Sequence, residues 1–189
     1  MSNQILETIQ NRRAVFQKQY HDTDISEQDL QAILEAANAA PTHKRTEPWR
    51  FVIFKNKGLS KLGTELSRIY QEITPEKEYN PKKAEKTKEK ATSANVAFAI
   101  IVHYSGKVPE WEELAATACA VQNMWLAAHS LGIGAYWSSP KTIHHLDDFL
   151  GLKDNQECIG LFYMGHADLS DSTPKRGDIE GKILRRIEE

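Results

Sequence analysis

The strongest constraint on the fold is one uninterrupted apolar run, Val96-Ala97-Phe98-Ala99-Ile100-Ile101-Val102. The run has the length of a β-strand, and none of its side chains is polar. Runs of this kind are typical of a central strand that is covered on both faces of its sheet. We therefore expect a layered protein in which the two faces of this strand are both buried.

Helical and strand patterns surround this run. Ser26 with Asp29 predicts a helix start that resembles a capping box, followed by an amphipathic stripe up to Ala40. The longest predicted helix covers 110–131, with one apolar stripe from Trp111 to Leu131, and Gly132 is suited to end it. Further strands are predicted at 50–54, 134–138 and 158–164. This order favours an α+β or α/β layered domain.

Length and charge narrow the class of protein. We expect the 189 residues to form one domain over 1–189. The net charge of −2 argues against nucleic acid or anionic membrane as a main partner, because both require a basic excess. The first residues lack the pattern of a secretory signal, and no apolar run is long enough to span a bilayer. We expect a soluble, cytoplasmic protein.

Candidate catalytic and metal residues are few. Cys119 and Cys158 lie within apolar patterns and predict a buried, reduced thiol pair. Neighbouring histidines on a helix point about 100° apart, so His144-His145 is assigned to a helix surface and no metal site is expected. His129, near the end of the long helix, is assigned to packing or to the helix dipole. With no catalytic side chain identified, the sequence fits an enzyme whose chemistry belongs to a bound cofactor.

A short polar loop, Thr42 to Glu47, lies between Pro41 and Pro48. Such a loop between two packed elements is a candidate binding site, and a plain connector from helix to strand is the alternative. Two basic pairs far apart in sequence, Arg12-Arg13 and Lys175-Arg176, are candidates to converge on a phosphate. On the residues alone, two solvated pairs are the commoner arrangement.

A longer charged stretch precedes the apolar run that begins at Val96. Thr74 to Lys90 contains two prolines and then a run of lysines and glutamates, and Tyr79 is its one large apolar residue. It predicts a mobile excursion followed by a solvated helix.

Together these segments resemble the nitroreductase family of FMN-dependent oxidoreductases over nearly the whole chain, most closely its short bacterial members. The segments that carry the resemblance are Arg12-Arg13-Ala14, Ala40 to Lys44, Pro48 to Phe51, Val108 to Glu112, Gly132 to Ser139 and the tail Gly165 to Arg176. The resemblance implies a mixed, mostly antiparallel sheet flanked by helices. It also implies an intertwined homodimer with two FMN sites at the subunit interface.

The resemblance assigns cofactor-binding residues by position. Arg12, Arg13 and Ala14 match the segment that binds the flavin phosphate and ribityl chain. Pro41, Thr42 and His43 match a segment that reaches the flavin from the other subunit. The flavin ring would lie beside Trp137, Ser138 and Ser139, and Lys175 and Arg176 would approach the phosphate.

The chain departs from the family pattern at three positions. Ala14 replaces a usual serine, Glu47 replaces a usual glutamine, and Phe16 stands where many members carry a basic residue near the flavin N1/C2 carbonyl edge. A lysine from residues 82–90 is a candidate replacement for that charge, although the sequence does not locate it.

The resemblance implies that NADH or NADPH reduces FMN, which in turn reduces a nitroaromatic, a quinone or another small-molecule electron acceptor. No catalytic side chain and no metal are implied. The alternatives are a specialised reductase or flavin-modifying member of the family, and a flavin-binding module without turnover.

Overall fold

The computed structural model describes residues 3–170 and 174–188, so residues 1–2, residues 171–173 of the tail segment Gly165 to Arg176, and residue 189 lie outside the described residues. Helices are α1 Gln4–Asn11, α2 Glu27–Asn38, α3 Lys57–Ile73, α4 Pro81–Thr92, α5 Glu110–Ser130 and α6 Asp147–Leu150. Strands are β1 Trp49–Lys55, β2 Val96–His103, β3 Ile133–Ser138 and β4 Gln156–His166. Short 3-10 turns cover Gln17–Gln19, His43–Arg45, Glu76–Glu78, Lys141–His145 and Glu180–Lys182.

The four strands form one sheet in the order β1-β2-β4-β3, and every strand pairing in the described residues is antiparallel. The register aligns Phe51 with Ile100 across β1 and β2, and Tyr136 with Tyr163 across β3 and β4. The predicted central strand is confirmed, because β2 lies between β1 and β4 and is buried from Val96 to Val102.

Alternate residues of β2 enter two separate cores, as the two-residue period of a strand requires. Phe98 packs with Ile33 of α2 and Met124 of α5 on one face of the sheet. Ala99 packs with Leu62 and Leu66 of α3 on the other face. Helices therefore cover both faces, and the α+β architecture with a mostly antiparallel sheet is confirmed.

Helix starts and ends follow the local chemistry. The hydroxyl of Ser26 accepts a hydrogen bond from the Asp29 amide at 3.0 Å and caps α2. Beyond α5, Gly132 has a φ of 74°, a left-handed conformation that glycine adopts without steric cost. Both features match the positions predicted from the sequence.

The predicted apolar stripe of α5 is wrong at its N-terminal end. Trp111 and Leu114 are exposed, at 68% and 42% of their surface. The helix is apolar on more than one side, and only one side can face the sheet. The buried residues are Glu113, Ala116, Thr117, Ala120, Val121, Met124 and Ala128.

One other expectation differs from the structure: Cys119 is exposed on α5, so only Cys158 is a buried thiol. The predicted solvated helix is Pro81–Thr92, whose buried residues are Ala84 and Ala91. It packs on α3, where a side chain at Gly63 would come within 2.7 Å of the Lys88 carbonyl oxygen. In the tail, Glu180–Lys182 form a single 3-10 turn.

Apolar side chains are exposed at both ends of the chain. Ile5, Leu6 and Ile9 of α1 are 70%, 53% and 42% exposed, and Leu184 and Ile187 of the tail are 100% and 76% exposed. A groove of about 410 Å³ runs between α1, the end of α2 and α5. Throughout 3–170 and 174–188, none of the helices has the length and apolar content needed to cross a bilayer.

Candidate functional site

Residues 12–16 form an extended segment that runs along β3. Helix α1 ends at Asn11, and the Val15 amide donates a hydrogen bond to the Ala135 carbonyl at 3.0 Å. Gly134 permits this close approach, because a Cβ there would lie 2.7 Å from Val15 Cγ1. The strand therefore fixes the position of the Arg12-Arg13-Ala14 segment.

Arg12 and Arg176 meet although they come from opposite ends of the chain. The Arg12 guanidinium carbon lies 4.3 Å from the centroid of the Trp125 ring on α5. Arg176 Nη2 donates a hydrogen bond to the Arg12 carbonyl at 2.9 Å. Burial, followed by the charge of Arg176, lowers the pKa of Arg12. The structure thus brings together one residue from each predicted basic pair.

Arg13 adds a donor that lacks a partner. Its Nη1 donates to the Leu169 carbonyl at 2.7 Å, whereas Nη2 is buried and makes no hydrogen bond within the described residues. A buried guanidinium nitrogen without an acceptor is costly. An anion bound at this point would supply the missing acceptor.

His129 belongs to the same positive region and was not predicted there. It lies one helical turn beyond Trp125 on α5. Its pKa is lowered by burial first, and then by the charges of Arg13 and Arg12. The four-residue spacing places His129 on the same face of α5 as Trp125. This spacing indicates a place in the site only when the contact between Arg12 and Trp125 is already known.

None of the five ion pairs found in the described residues includes Arg12, Arg13 or Arg176. The pKa of the exposed Asp168 carboxyl is lowered first by hydrogen bonds from Ser170 and last by the charges of His21 and Arg13. Positive side chains that converge without a direct ion pair favour an anionic ligand. The phosphate group of FMN fits this donor set. Lys175 is exposed and Ala14 offers no side-chain donor, so neither strengthens the cluster in this chain.

The end of β3 lies beside the same segment. Trp137 is half-buried, and its Nε1 is buried without a hydrogen-bond partner in the described chain. A Cβ at Gly160 would lie 1.9 Å from that nitrogen, so glycine is required for the indole to pack there. Ser138 pairs with Leu161 across the sheet, and Ser139 is exposed.

The loop between Pro41 and Pro48 is held by a hydrogen bond between its two ends. Thr42 Oγ1 accepts a hydrogen bond from the Glu47 amide at 3.1 Å. Lys44, Arg45 and Glu47 have φ angles of 49°, 54° and 43°, a conformation that costs non-glycine residues free energy. A backbone held in this way is common at binding sites, whereas a plain connector has no need of it.

His43 points from this loop to the start of α5, with its Nδ1 2.5 Å from Glu112 Oε2. Arg12 contacts the same helix at Trp125, about 20 Å further along at a rise of about 1.5 Å per residue. Within one chain, therefore, the structure does not bring Pro41, Thr42 and His43 next to the arginine cluster.

A cavity of about 560 Å³ opens between the 3-10 turn Gln17–Gln19 and α4. Phe16 packs on Tyr136 with ring centroids 4.9 Å apart, and Gln17 Nε2 donates to the Tyr136 hydroxyl at 2.5 Å. Burial raises the pKa of Tyr136, which keeps the phenol neutral. The lysines that the sequence did not locate include Lys86 and Lys90, which line this cavity opposite Phe16.

Metal-binding side chains do not cluster in the part of the chain that the structure describes, where no group of three or more His, Cys, Asp or Glu residues is arranged to hold an ion. His144 and His145 lie in the 3-10 turn Lys141–His145.

Comparison with known proteins identifies the family. The sequence model of the nitroreductase family matches residues 9–166. A Haemophilus influenzae protein named "Putative NAD(P)H nitroreductase" is 31% identical over 140 residues, which cover 73% of this chain and 76% of that protein. A nitroreductase-like family protein from Bacillus cereus has the same fold, with a TM-score of 0.86 and 24% identity over 100% of this chain and 98% of that chain.

A second solved structure, a nitroreductase with bound FMN from Bacteroides fragilis, matches with a TM-score of 0.73 and 24% identity. The alignment covers 98% of this chain and 100% of the Bacteroides fragilis chain. At these identities the two structures establish the fold alone, while the family match extends from α1 to the end of β4. The chain belongs to the nitroreductase family.

Proposed function

We propose that the protein is an FMN-dependent oxidoreductase that uses NADH or NADPH to reduce nitroaromatics, quinones or related small-molecule electron acceptors. The observation that carries the proposal is the cluster of Arg12, Arg13 and Arg176, with a buried Arg13 nitrogen that lacks an acceptor. The names of the relatives and the FMN in the Bacteroides fragilis structure support the same conclusion.

The phosphate of FMN would be held by Arg12, Arg13 and Arg176, whose guanidinium groups suit bidentate contacts to phosphate oxygens. From there the extended segment 12–16 leads along β3 towards Trp137, Ser138 and Ser139. The flavin ring would lie at that strand end, and the unpaired Trp137 Nε1 is a donor on its border. Bound FMN supplies the redox chemistry, and the protein supplies binding, orientation and hydrogen bonds.

The active unit is proposed to be a homodimer. Pro41, Thr42 and His43 lie near the opposite end of α5 from the arginine cluster, so they would complete the site of the partner subunit. Exposed Ile5, Leu6 and Trp111 provide apolar surface for such an association. Each flavin site would then contain residues from both subunits.

Electron donor and acceptor would use one open face of the flavin in turn. Within the described residues no group of His, Cys, Asp or Glu side chains is arranged to hold a metal ion. We assign the side chains no covalent or proton-abstracting step. The His43–Glu112 hydrogen bond fixes the ring of His43, which points to a role in placing the flavin.

The test is identification and reduction of the cofactor. The purified protein is expected to release FMN on acid treatment, and anaerobic NADH or NADPH should bleach its flavin absorbance. Reoxidation by a quinone or nitroaromatic should restore the absorbance. A colourless protein that binds no added FMN would overturn the proposal, and bound flavin that no pyridine nucleotide reduces would indicate a binding module.

A further inference from the structure

The Arg12 side chain is held by the face of an aromatic ring and not by an ion pair. Its guanidinium carbon lies 4.3 Å from the centroid of the Trp125 ring, and it takes part in none of the five ion pairs of the described residues. The donors of a guanidinium lie in its plane, so a ring stacked on its face leaves them free for a ligand. A carboxylate in place of the ring would occupy those donors.

The Trp125 ring is itself fixed by the core. It meets the Phe162 ring edge to face, with centroids 5.7 Å apart and an interplanar angle of 79°. Phe162 is fully buried in β4, and Trp125 packs against the apolar cores on both faces of the sheet. The indole therefore has a defined position before any ligand binds.

The indole nitrogen adds nothing to this packing. Trp125 Nε1 is buried and has no hydrogen-bond partner within 3–170 and 174–188. A buried donor without an acceptor costs free energy, so the core gains nothing from the polar atom of this side chain. The useful property of the residue is its face, because indole attracts cations more strongly than the rings of phenylalanine and tyrosine do.

Converging positive charges make this support necessary. Arg176 donates a hydrogen bond to the Arg12 carbonyl, and burial followed by the charge of Arg176 lowers the pKa of Arg12. Arg13 adds a third guanidinium directly after Arg12. Before an anion arrives, repulsion among these groups favours conformations in which the Arg12 side chain turns away. The negative face of the indole offsets this repulsion without accepting a hydrogen bond.

We propose that Trp125 is a positioning residue for the cofactor phosphate: its ring holds Arg12 in place before the cofactor binds and strengthens the preference for FMN over riboflavin. Trp125 acts through Arg12 and touches no reacting atom. Ordering a free arginine side chain on binding costs conformational entropy, whereas a side chain held by the ring is already ordered. The gain falls on ligands that carry a phosphate, because only they use Arg12. This inference rests on the proposed binding of FMN.

The test compares FMN with riboflavin in titrations of the apoprotein followed by flavin fluorescence. W125L removes the aromatic face and is expected to weaken FMN binding by about five- to tenfold, as for a partly desolvated cation–π contact, while riboflavin binding changes by less than about twofold. W125F keeps a weaker ring and should lie between the wild type and W125L for FMN. Equal losses for both ligands in W125L and W125F would overturn the inference.

The matched control for damage to α5 is V121A. Val121 is fully buried one helical turn before Trp125, so V121A should lower the free energy of unfolding and leave the ratio of FMN to riboflavin affinity unchanged. A changed ratio in V121A would show that any loss of packing on α5 alters the selectivity. A specific role for the ring would then be wrong.

A double-mutant cycle assigns the effect to Arg12. In the R12A protein the ring has no guanidinium to hold, so adding W125L or W125F should weaken FMN binding by less than about twofold further. If either tryptophan variant has its full effect in the R12A background, Trp125 acts by another route and the inference fails.

The wild-type apoprotein gives a readout that depends on neither a tryptophan variant nor turnover. The Arg12 δ protons lie against the indole face, so their NMR signals should be shifted upfield, and comparison with R12A assigns them. Added inorganic phosphate should move the Arg12 Nε–H signal while the δ protons stay upfield. Absence of either shift would overturn the inference. Bound FMN that NADH and NADPH fail to reduce would overturn the reductase function alone.

Discussion

The Arg12 guanidinium stacks on the Trp125 ring, with 4.3 Å between its central carbon and the ring centroid. This contact places a charge from the end of α1 against α5, and Arg176 donates a hydrogen bond to the Arg12 carbonyl at the same point. Since no carboxylate among the described residues pairs with either arginine, the arrangement is best explained by an anionic ligand.

Replacing the phosphate anchors is the first test. Arg12→Ala and Arg176→Ala should each weaken FMN binding by about 1.5–3 kcal/mol, the range of charge-assisted hydrogen bonds. Riboflavin lacks the phosphate and should be much less affected. Titration by flavin fluorescence measures the affinities for FMN and for riboflavin. The matched control is Arg185→Ala, which removes an exposed arginine of the same tail. An equal loss for FMN and riboflavin would show that the arginines act through folding.

The shared site predicts complementation between defective chains. A chain with Arg12→Ala and a chain with Thr42→Ala/His43→Ala should each bind FMN poorly. Mixed dimers formed by refolding equal amounts of the two would contain one intact site, so about a quarter of all sites should regain normal affinity if symmetric pairing is random. No recovery above either parent protein would mean that the loop and Arg12 serve the same chain's site or separate functions.

Two glycines control the packing around the flavin site. Gly134→Ala forces a Cβ to within 2.7 Å of Val15, and Gly160→Ala forces one to within 1.9 Å of Trp137 Nε1. Each should lower the free energy of unfolding by about 1–3 kcal/mol, the usual cost of overpacking. Gly181→Ala meets no atom within 4 Å and is the control. Urea denaturation measures the differences, and unchanged stability in both core variants would contradict the close packing.

The two thiols should differ in reactivity. Burial raises the pKa of Cys158 to about 11, so near pH 8 it remains a protonated, inaccessible thiol, and only the thiolate attacks a disulfide reagent. Exposed Cys119 should react with 5,5′-dithiobis(2-nitrobenzoic acid) in the native protein, and both should react after unfolding. Native Cys119→Ser should therefore be nearly inert. Rapid reaction of that variant would show that Cys158 is reached from solvent.

Alternating use of one flavin face predicts ping-pong kinetics. Varying NADH or NADPH at several fixed quinone concentrations should give parallel double-reciprocal lines. Intersecting lines would mean that donor and acceptor bind together. His43→Ala should slow turnover without abolishing it, because the hydride chemistry belongs to the cofactor. Complete loss of activity with FMN still bound would make His43 an essential proton donor.

Local signals predicted the framework of the fold well. The apolar run at Val96 determined the central strand, the Ser26 hydroxyl marked the start of α2, and Gly132 marked the end of α5. Each of these depends on residues close together in the chain. The resemblance supplied the family and the candidate site residues, whose contacts with FMN remain predictions.

Features that depend on tertiary packing were missed. Trp111 was assigned to a buried stripe because α5 is apolar on more than one side, and periodicity alone cannot choose between them. Cys119 was misassigned for the same reason. The sequence could not bring His129 close to Arg13, nor Lys86 opposite Phe16, because those pairs are more than 60 residues apart.

The contact between Arg12 and Arg176 also affects the free energy of unfolding when a ligand is bound. A phosphate held by both would link the two ends of the polypeptide, a contact that the denatured chain cannot maintain because of the loop entropy. At a hundred times its dissociation constant, such a ligand would add about 2.7 kcal/mol to the free energy of unfolding. Cofactor supply would then govern the lifetime of the protein as well as its activity, and apoprotein would be the form most readily degraded by proteases.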